Sequence, residues 1–395
     1  MDYAEESLKL HSLLKGKVSI RNKMDVRTTE HLSLVYSPGV AAPCMEIAND
    51  PEKVWEYTIK GNCVAIVTDG SAVLGLGNIG AAASIPVMEG KAMLFRQFGG
   101  INAFPICLDT QDTDEIVETV RRIAPVFGGI NLEDIAAPRS FEIEERLQDL
   151  GIPVFHDDQH GTAIVVLAAL INAAKVVGKE LKDLKVVING AGAAGVAIAR
   201  LLRCIDNEDN TACTPVKEVI LCDTNGILSP SRTDMNEAKW ATLTYTNPNQ
   251  ISGSVYDALI GADVFIGVSA GDMMNASHVQ SMAKDPIIFA CANPTPEIMP
   301  EEAYKGGAAI VGTGRSDLPN QVNNVLGFPG IFRGALDAKA KRITPKMKLA
   351  AAYAIADCMT YPTKDMIIPP ALNEMVAFKV AEAVRKAALD EMKEL

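Results

Sequence analysis

The sequence has no excess of positive charge, because 49 Asp and Glu residues outnumber 37 Lys and Arg residues. The formal net charge of −12 argues against nucleic acid or an anionic membrane surface as a partner, since both attract basic proteins. Hydrophobic residues make up 48% and charged residues 22% of the chain, which excludes a disordered or fibrous protein. At roughly 150 residues per domain, 395 residues predict two or three domains.

The sequence also lacks an uninterrupted apolar run long enough to cross a bilayer. The longest run, residues 162–177, is broken by Asn172 and Lys175 and is shorter than the roughly 20 residues that a span needs. The first ten residues, MDYAEESLKL, carry acids where a secretory signal carries basic residues. We therefore expect no membrane segment and a cytoplasmic location.

None of the eight Cys residues belongs to a Cys-x-x-Cys pair, and no His cluster accompanies them. For a cytoplasmic protein, this scatter predicts reduced and mostly buried thiols. Internal repeats and low-complexity segments are absent as well.

Seven apolar segments of strand length alternate with helical patterns along the chain. They cover residues 63–68, 103–108, 186–189, 218–223, 263–268, 287–292 and 308–313. This alternation predicts α/β layers around parallel sheets. A long apolar helix after Asp157 and Asp158, ending at Gly178, places a domain boundary near residues 158–182. Thr344 followed by Pro345 predicts a helix start, and a last helix is expected over about 371–394.

The pattern Gly-x-Gly-x-x-Gly occurs twice, beginning at Gly75 and at Gly190. A dinucleotide site needs a strand that runs into the glycines and a helix that opens from them, because the helix N-terminus donates amides to the pyrophosphate. The second copy fits, with KVVIN before it and an apolar helix after it. The first copy meets Pro86 soon after its glycines, which predicts that no long helix follows. The predicted cofactor turn comprises Gly190, Ala191, Gly192, Ala193, Ala194 and Gly195.

Asp223 ends the next predicted strand and is expected to bind the ribose hydroxyls of the cofactor. It lies 28 residues after Gly195 rather than about 20, and a long polar loop over 203–217 accounts for the excess. Because no Lys or Arg follows before Arg232, the carboxylate would repel a 2′-phosphate, which favours NAD over NADP. The alternative is that Asp223 is only a turn residue at the strand end.

Two acidic pairs, Glu133–Asp134 and Asp157–Asp158, each follow an apolar segment. Clustered carboxylates repel one another unless a cation lies between them, and oxygen ligands suit Mg²⁺ or Mn²⁺. The alternative for each pair is a solvated turn or a helix cap. His156 and His160 flank the second pair, but we expect local hydrogen bonds for them rather than metal ligation.

Tyr36 and Lys91 are candidate catalytic residues. Tyr36 lies in LVYSPGVAAPC, where Pro38 and Gly39 keep the segment out of a helix and could direct the phenol into a cleft. Lys91 lies in an apolar helix, where desolvation would lower its pKa and suit it to act as a base. The alternatives are a core tyrosine and a surface lysine.

Eight segments of the chain occur in the order and spacing seen in malic enzymes. They are LVYSPGVAAPC, TDGSAVLGLGNIG, IPVMEGKAMLF, GGINLEDIAAP, FHDDQHGTA, INGAGAAG, CANPTPE and NQVNNVLGFPG. Over roughly residues 10–390 the chain closely resembles the short bacterial-type branch of that family. The predicted fold is therefore an N-terminal α/β domain over 1–160 and a Rossmann-type doubly wound parallel-sheet domain over 161–395. The resemblance also implies a homodimer, for which the apolar N-terminal segment LHSLLKGKVSI is a candidate contact.

The activity implied by the resemblance is the oxidative decarboxylation of malate to pyruvate and CO₂ with NAD(P) and Mg²⁺ or Mn²⁺. Tyr36 would be the proton donor and Lys91 the base. The resemblance assigns the metal ligands to Glu133, Asp134 and Asp158, with Asp157 as their neighbour. It assigns substrate contacts to Asn293 and Asn324, with Asn323 a further candidate. Asn293 would also lie near the cofactor. Ser71 and Ala72 stand where long-branch members carry an arginine for a malate carboxylate, so the group that holds the second carboxylate is not identified.

Two other functions are compatible with part of the pattern. A malolactic enzyme resembles this family and uses the same site, but it retains NADH and releases lactate. A regulatory NAD-binding pseudoenzyme should have lost part of the proton or metal machinery, whereas every matched position is filled here.

Overall fold

The computed structural model describes residues 3–73, 75–205 and 213–394. The α-helices in these ranges are α1 Tyr3–Leu14, α2 Thr29–Val35, α3 Ala41–Asn49, α4 Val54–Tyr57, α5 Ala81–Gly99, α6 Thr113–Ile123, α7 Arg139–Arg146, α8 Asp157–Val177, α9 Ala193–Leu202, α10 Glu237–Thr242, α11 Val255–Leu259, α12 Ala276–Gln280, α13 Pro300–Lys305, α14 Phe328–Asp337, α15 Pro345–Ala356 and α16 Glu374–Glu394.

The strands of the described residues form two sheets. They are β1 Cys63–Thr68, β2 Asn102–Cys107, β3 Gly129–Leu132, β4 Val154–His156, β5 Lys185–Asn189, β6 Glu218–Asp223, β7 Gly226–Ile227, β8 Val264–Gly267, β9 Ile287–Ala290 and β10 Ile310–Thr313. The first sheet has the order β2-β1-β3-β4 and the second β10-β9-β8-β5-β6-β7. All pairs are parallel except β6 with β7. The predicted α/β class is confirmed.

The helix α8 lies at the centre of the core and begins immediately after β4. Most of its residues from Ala163 to Ala174 are buried on every side, and it packs against α9 and α15. By length and hydropathy alone α8 could cross a bilayer, yet 72% of its apolar window is buried inside the protein. A helix that is apolar all round belongs in a core when neighbouring helices cover it, as they do here.

The helix α5 corrects one prediction, because it runs for 19 residues with Pro86 inside it. Pro86 lies in the second turn, where its missing N–H removes one backbone hydrogen bond close to the helix start. The buried face beyond it, including Met88 and Phe95, packs into the core. That packing offsets the local loss, so a proline near the N-terminus did not end the helix.

One hydrophobic cluster covers a face of both sheets and includes the C-terminal helices, while each sheet packs a separate cluster on its other face. Both α14 and α16 contact α5. The ring of Phe95 on α5 lies 4.7 Å from that of Phe328 and 5.4 Å from that of Phe332. The helix that carries Lys91 is therefore fixed from both sides. The predicted capped start at Thr344 is confirmed, and the last helix begins at Glu374 rather than near residue 371.

Cys204 and Cys213 form a disulfide, so the prediction of reduced thiols is wrong for this pair. Their Cα atoms lie 6.0 Å apart, within reach of a disulfide. The backbone N–H of Val216 donates to the carbonyl of Leu202 and holds the two ends of the connection together. Residues 206–212 of the predicted 203–217 loop lie outside the described residues.

Candidate active site

Lys91 is buried between two carboxylates at the carboxyl ends of the first sheet. Its side chain is only 6% exposed, and its Nζ donates to Glu133 Oε1 at 2.7 Å and to Asp157. The same ammonium lies 4.2 Å from the centre of the Phe328 ring. The surface-lysine alternative is therefore excluded.

Glu133, Asp134 and Asp158 each direct a carboxylate oxygen to one point, with these atoms within 4.8 Å of one another. Glu133 and Asp134 follow β3, and Asp158 follows β4 in the first turn of α8. The backbone N–H of Asp134 donates to Asp158 Oδ2 at 2.7 Å. An all-oxygen cluster of this kind fits Mg²⁺ or Mn²⁺, and the three acids are those predicted as ligands.

The backbone of Asp134 is held in the left-handed region, with φ at +54°. Asp adopts this region more readily than most residues, but at a cost in free energy. The Asp134 carbonyl accepts a hydrogen bond from the N–H of Ala72, which fixes the turn. The structure therefore maintains a strained backbone at one of the three clustered acids.

Negative charge exceeds positive charge in this cluster. Burial raises the pKa of Glu133 to about 7 and that of Asp157 to about 7, although Lys91 opposes both shifts. For Lys91, burial lowers the pKa, but Asp157, Glu133 and Asp158 outweigh it, and the net shift is upward. The expected lowered pKa of Lys91 is thus wrong for the cluster as it stands. The surplus of carboxylates calls for an additional cation.

The three predicted asparagines differ in what they contact. Asn324 faces the Asp157 carboxylate and lowers its pKa slightly against the effect of burial. Asn323 instead caps the turn after it by accepting from the N–H of Val325, so its side chain is occupied. Asn293 lies in the loop after β9, where its backbone packs closely against Gly75. A Cβ at Gly75 would come within 2.2 Å of the Asn293 carbonyl oxygen.

Tyr36 is not buried with Lys91. Its side chain is 67% exposed at the end of α2, which excludes a core tyrosine. The helices α1, α2 and α3 contain no buried residue. In a single chain, therefore, the predicted proton donor lies on a surface that the rest of the chain does not cover.

A second buried network anchors the residues on either side of the Asp157–Asp158 pair. Glu144 accepts from the backbone N–H of His156 at 3.0 Å and from the ring of His160 at 2.9 Å. Lys348 on α15 donates to the other ring nitrogen of His160 at 3.1 Å. The local role predicted for His160 agrees with this network, whereas Glu144 was missed because no motif marks it.

A cavity of about 860 Å³ opens at the glycine turn of the second sheet. Asn189, Gly190, Ala191, Gly192, Asp223 and Lys239 are among its lining residues. Ala137 and Pro138, just after the acids of the first sheet, line it as well. The cavity therefore connects the predicted cofactor turn with the part of the chain that carries the acidic cluster.

The glycine turn fits a pyrophosphate. A Cβ at Gly195 would lie 1.7 Å from the carbonyl oxygen of Gly190, so the helix can approach the strand only without a side chain there. A Cβ at Gly192 would meet nothing within 4 Å, which leaves its side of the turn open. The helix α9 begins at Ala193 with no side-chain cap, so its first amides can donate to an anion.

Asp223 lines the same cavity but is not a bare carboxylate. Arg232 donates to it through two nitrogens, at 2.7 and 3.1 Å, and Lys239 Nζ donates at 2.6 Å. The sequence argument counted residues along the chain, whereas the turn between β6 and β7 reverses its direction and returns Arg232 to Asp223. The expectation that no cation neutralises this position is therefore wrong.

Strand order in the second sheet reverses beside the glycine turn, where β5 lies between β8 and β6, and this is the dinucleotide-binding arrangement of dehydrogenases. The buried lysine on α5 and the acids that follow β3 and β4 lie at the carboxyl ends of the first sheet. Fold and site together define a two-domain protein of the dehydrogenase class. Two family models narrow this class: malic enzyme, N-terminal domain, matches residues 15–148, and malic enzyme, NAD binding domain, matches residues 159–389. The chain belongs to the malic enzyme family.

Individual relatives agree with the family match. The chain is 55% identical over 394 residues to the bifunctional malic/malolactic enzyme of Bacillus subtilis, covering 99% of this chain and 94% of the relative. It is 53% identical to the NAD-dependent malic enzyme of Geobacillus stearothermophilus, covering 94% and 77%. The crystal structure of the NAD-dependent malic enzyme from Thermotoga maritima has a TM-score of 0.91 at 48% identity, covering 96% and 98%.

Proposed function

We propose that the protein catalyses the oxidative decarboxylation of malate to pyruvate and CO₂, with reduction of NAD and dependence on Mg²⁺ or Mn²⁺. The observation that carries this proposal is the position of Lys91, buried between Glu133 and Asp157 and next to three convergent acids. A base beside a cation site is what removal of a hydroxyl proton and loss of CO₂ from the same substrate require.

The side chains divide the proton transfers between them. Lys91 accepts the proton of the malate C2 hydroxyl, and Glu133 and Asp157 hold its Nζ in place. Lys91 can serve as a base only when the surrounding negative charge is offset at Glu133, Asp134 and Asp158. A divalent cation held by these three acids would supply that charge and stabilise negative charge on the substrate oxygen, and a dinucleotide held at the glycine turn would supply the hydride acceptor. Tyr36 donates the proton that C3 needs after CO₂ has left.

For the cofactor we propose NAD, with NADP less favoured. The NAD-dependent relative and the NAD binding domain match support this preference. Asp223 can accept hydrogen bonds from ribose hydroxyls, while its pairing with Arg232 and Lys239 offsets its charge. The barrier against a 2′-phosphate is therefore lower than a lone carboxylate would impose.

For the assembly we propose a homodimer in which the segment 3–50 contacts a second copy and brings Tyr36 to that copy's Lys91. Exposed apolar side chains support this use of the segment. They are Tyr3, Leu8, Leu10, Leu13, Leu14, Val18, Ile20, Met24, Val26, Leu32, Leu34, Val35, Val40 and Met45. Apolar surface of this extent marks an interaction site. Because Tyr36 lies exposed within this segment, the proposed proton donor is available to a partner subunit.

One assay tests the activity. Purified protein is incubated with malate, Mn²⁺ and NAD, and pyruvate, lactate and free NADH are measured together. Pyruvate and NADH in equal amounts are expected. Lactate without free NADH would instead establish the malolactic reaction, a second candidate that the bifunctional Bacillus subtilis relative favours. Absence of both products with malate would reject the proposal.

A further inference from the structure

Glu297 is a fully buried carboxylate that neither the metal cluster nor the glycine turn uses. Its side chain is 0% exposed. Its two oxygens accept the backbone N–H groups of Ser269, at 3.2 Å, and Ala292, at 3.1 Å. Among the basic side chains in the described ranges, none forms an ion pair with it. Buried acids without a cation are uncommon because desolvation disfavours their charge.

The chain makes room for this acid at a defined place. Gly267 is the last residue of β8, and a Cβ there would lie 2.2 Å from the Glu297 side-chain carboxyl carbon. Ser269, whose N–H the carboxylate holds, lines the cofactor cavity together with Val268 and Met273. Glu297 therefore lies one peptide group behind the cavity wall.

Sheet topology identifies the part of the cofactor that this wall would face. Asp223 at the end of β6 marks the adenosine side, and the order of strands reverses at β5. The other half of a dinucleotide then lies over the ends of β8 and β9, where Ser269 and Ala292 are found. That half carries the nicotinamide, which is positively charged in NAD⁺ and neutral in NADH.

We propose that Glu297 sets the preference of the cavity for oxidised over reduced nicotinamide, by keeping an unneutralised carboxylate behind the wall at this end. A charge in a low-dielectric wall attracts the nicotinamide cation and has no such effect on the neutral ring. Burial raises the pKa of Glu297 on balance, and the N–H groups of Ala292 and Ser269, which bond to the carboxylate, lower it in part. Weaker retention of NADH would favour its release as product. The inference rests on the cofactor part of the proposed function.

Binding of NAD⁺ and of NADH is measured separately by calorimetry, without malate or metal, in the parent and in Glu297→Gln. We expect the variant to lose about tenfold more affinity for NAD⁺ than for NADH, which is roughly 1.4 kcal/mol. Glu302→Gln is the matched control, because Glu302 also accepts a backbone N–H, that of Ala276, but is partly exposed and paired with Lys305. Its ratio of the two affinities should equal that of the parent.

Three results would overturn the proposal: an equal loss for both cofactor forms, no change in either, or the same ratio shift in the control. Should Glu297→Gln fail to fold, Glu297→Asp keeps the charge and must keep the preference for NAD⁺, while parity in that variant rejects the inference. If the parent binds neither cofactor form, the NAD assignment itself fails, and the two failures are thereby distinguished.

Discussion

Lys91 is a residue whose environment, rather than its type, gives it a function. A second buried lysine, Lys60, donates to the carbonyls of Ala124, Pro125 and Phe127, and none of the acids in the described ranges pairs with it. Burial lowers the pKa of Lys60, whereas the acids around Lys91 raise its pKa. The two lysines form a natural pair for separating catalysis from stability.

We predict that Lys91→Met reduces kcat by at least about 10²-fold, in the range of general acid–base catalysis, while the Kd for NADH changes little. The reason is that the base lies in the first sheet's part of the site and the glycine turn in the second. Steady-state kinetics and NADH titration check this. Lys60→Met should lower Tm without lowering kcat, and near-parental turnover of Lys91→Met would reject the base assignment.

At Asp223 we predict that a single substitution, Asp223→Ser, shifts kcat/KM toward NADP by about tenfold or more. The change removes the carboxylate that pairs with Lys239 and leaves Arg232 paired with Asp234 alone, and a hydrogen bond between charged groups contributes about 1.5–3 kcal/mol. Kinetics with both cofactors measure the shift. Adding Lys239→Met to Asp223→Ser should remove part of the gain in kcat/KM with NADP. If Asp223→Ser alone keeps the parental cofactor preference, Asp223 does not bind the ribose.

At the scale of elements, the carboxyl ends of β3 and β4 deliver the acids to one edge of the first sheet. Both strands are short, with four and three residues, and were absent from the predicted set. The acids themselves were still found because they are adjacent in sequence. The longer strands β1 and β6 were predicted with their correct bounds because continuous apolar runs mark strands buried on both faces.

At this scale, the sequence could not predict features that depend on contacts between residues far apart along the chain. Pro86 was expected to stop α5, yet packing of the helix beyond it prevailed. The sequence argument relied on there being no Lys or Arg before Arg232, yet the hairpin turn brings Arg232 itself to Asp223. Neither the continuation of α5 past Pro86 nor the contact of Arg232 with Asp223 can be predicted from local propensity or from spacing along the chain.

We predict that Glu133→Gln and Asp158→Asn abolish activity and weaken Mn²⁺ binding, whereas Asp157→Asn reduces activity with a smaller effect on Mn²⁺ affinity. Asp157 contacts Lys91 rather than the convergent point of the three acids. Substitution of a residue that supports the metal ligands without binding the metal itself typically lowers metal affinity by about 10- to 100-fold. Calorimetric Mn²⁺ titration checks the ranking, with the exposed Glu142→Gln on α7 as control. Undiminished binding by Glu133→Gln and Asp158→Asn would show that these acids serve only as caps.

At the scale of the whole molecule, the division at residue 160 and the cytoplasmic location stay predictions, and so does the dimer. The N-terminal apolar segment was recognised in the sequence as a candidate contact. The exposure of Tyr36 is evident only in the folded chain. The spacing of motifs in the sequence does not show which copy of the chain completes a site.

We therefore predict that Tyr36→Phe and Lys91→Met, each nearly inactive alone, recover activity when mixed under conditions that allow subunits to exchange. A mixed dimer would contain one site with both native residues, so recovery should approach about a quarter of parental activity. Kinetics of the mixture, with light scattering to establish a dimer, test this. No recovery from a mixture shown to contain mixed dimers would place Tyr36 and Lys91 in one chain.

The left-handed backbone of Asp134 has a consequence for how far this protein can be stabilised. The strained turn and the repulsion of the Asp134 carboxylate by those of Glu133 and Asp158 both destabilise the metal-free fold, so function is maintained here at the expense of stability. Asp134→Asn tolerates the same φ and removes one negative charge; we predict a Tm a few degrees higher without metal and loss of the Mn²⁺-dependent rise in Tm. Thermal denaturation with and without Mn²⁺ decides this, and a lower metal-free Tm would contradict it. Selection for thermal stability alone would then tend to remove the metal site.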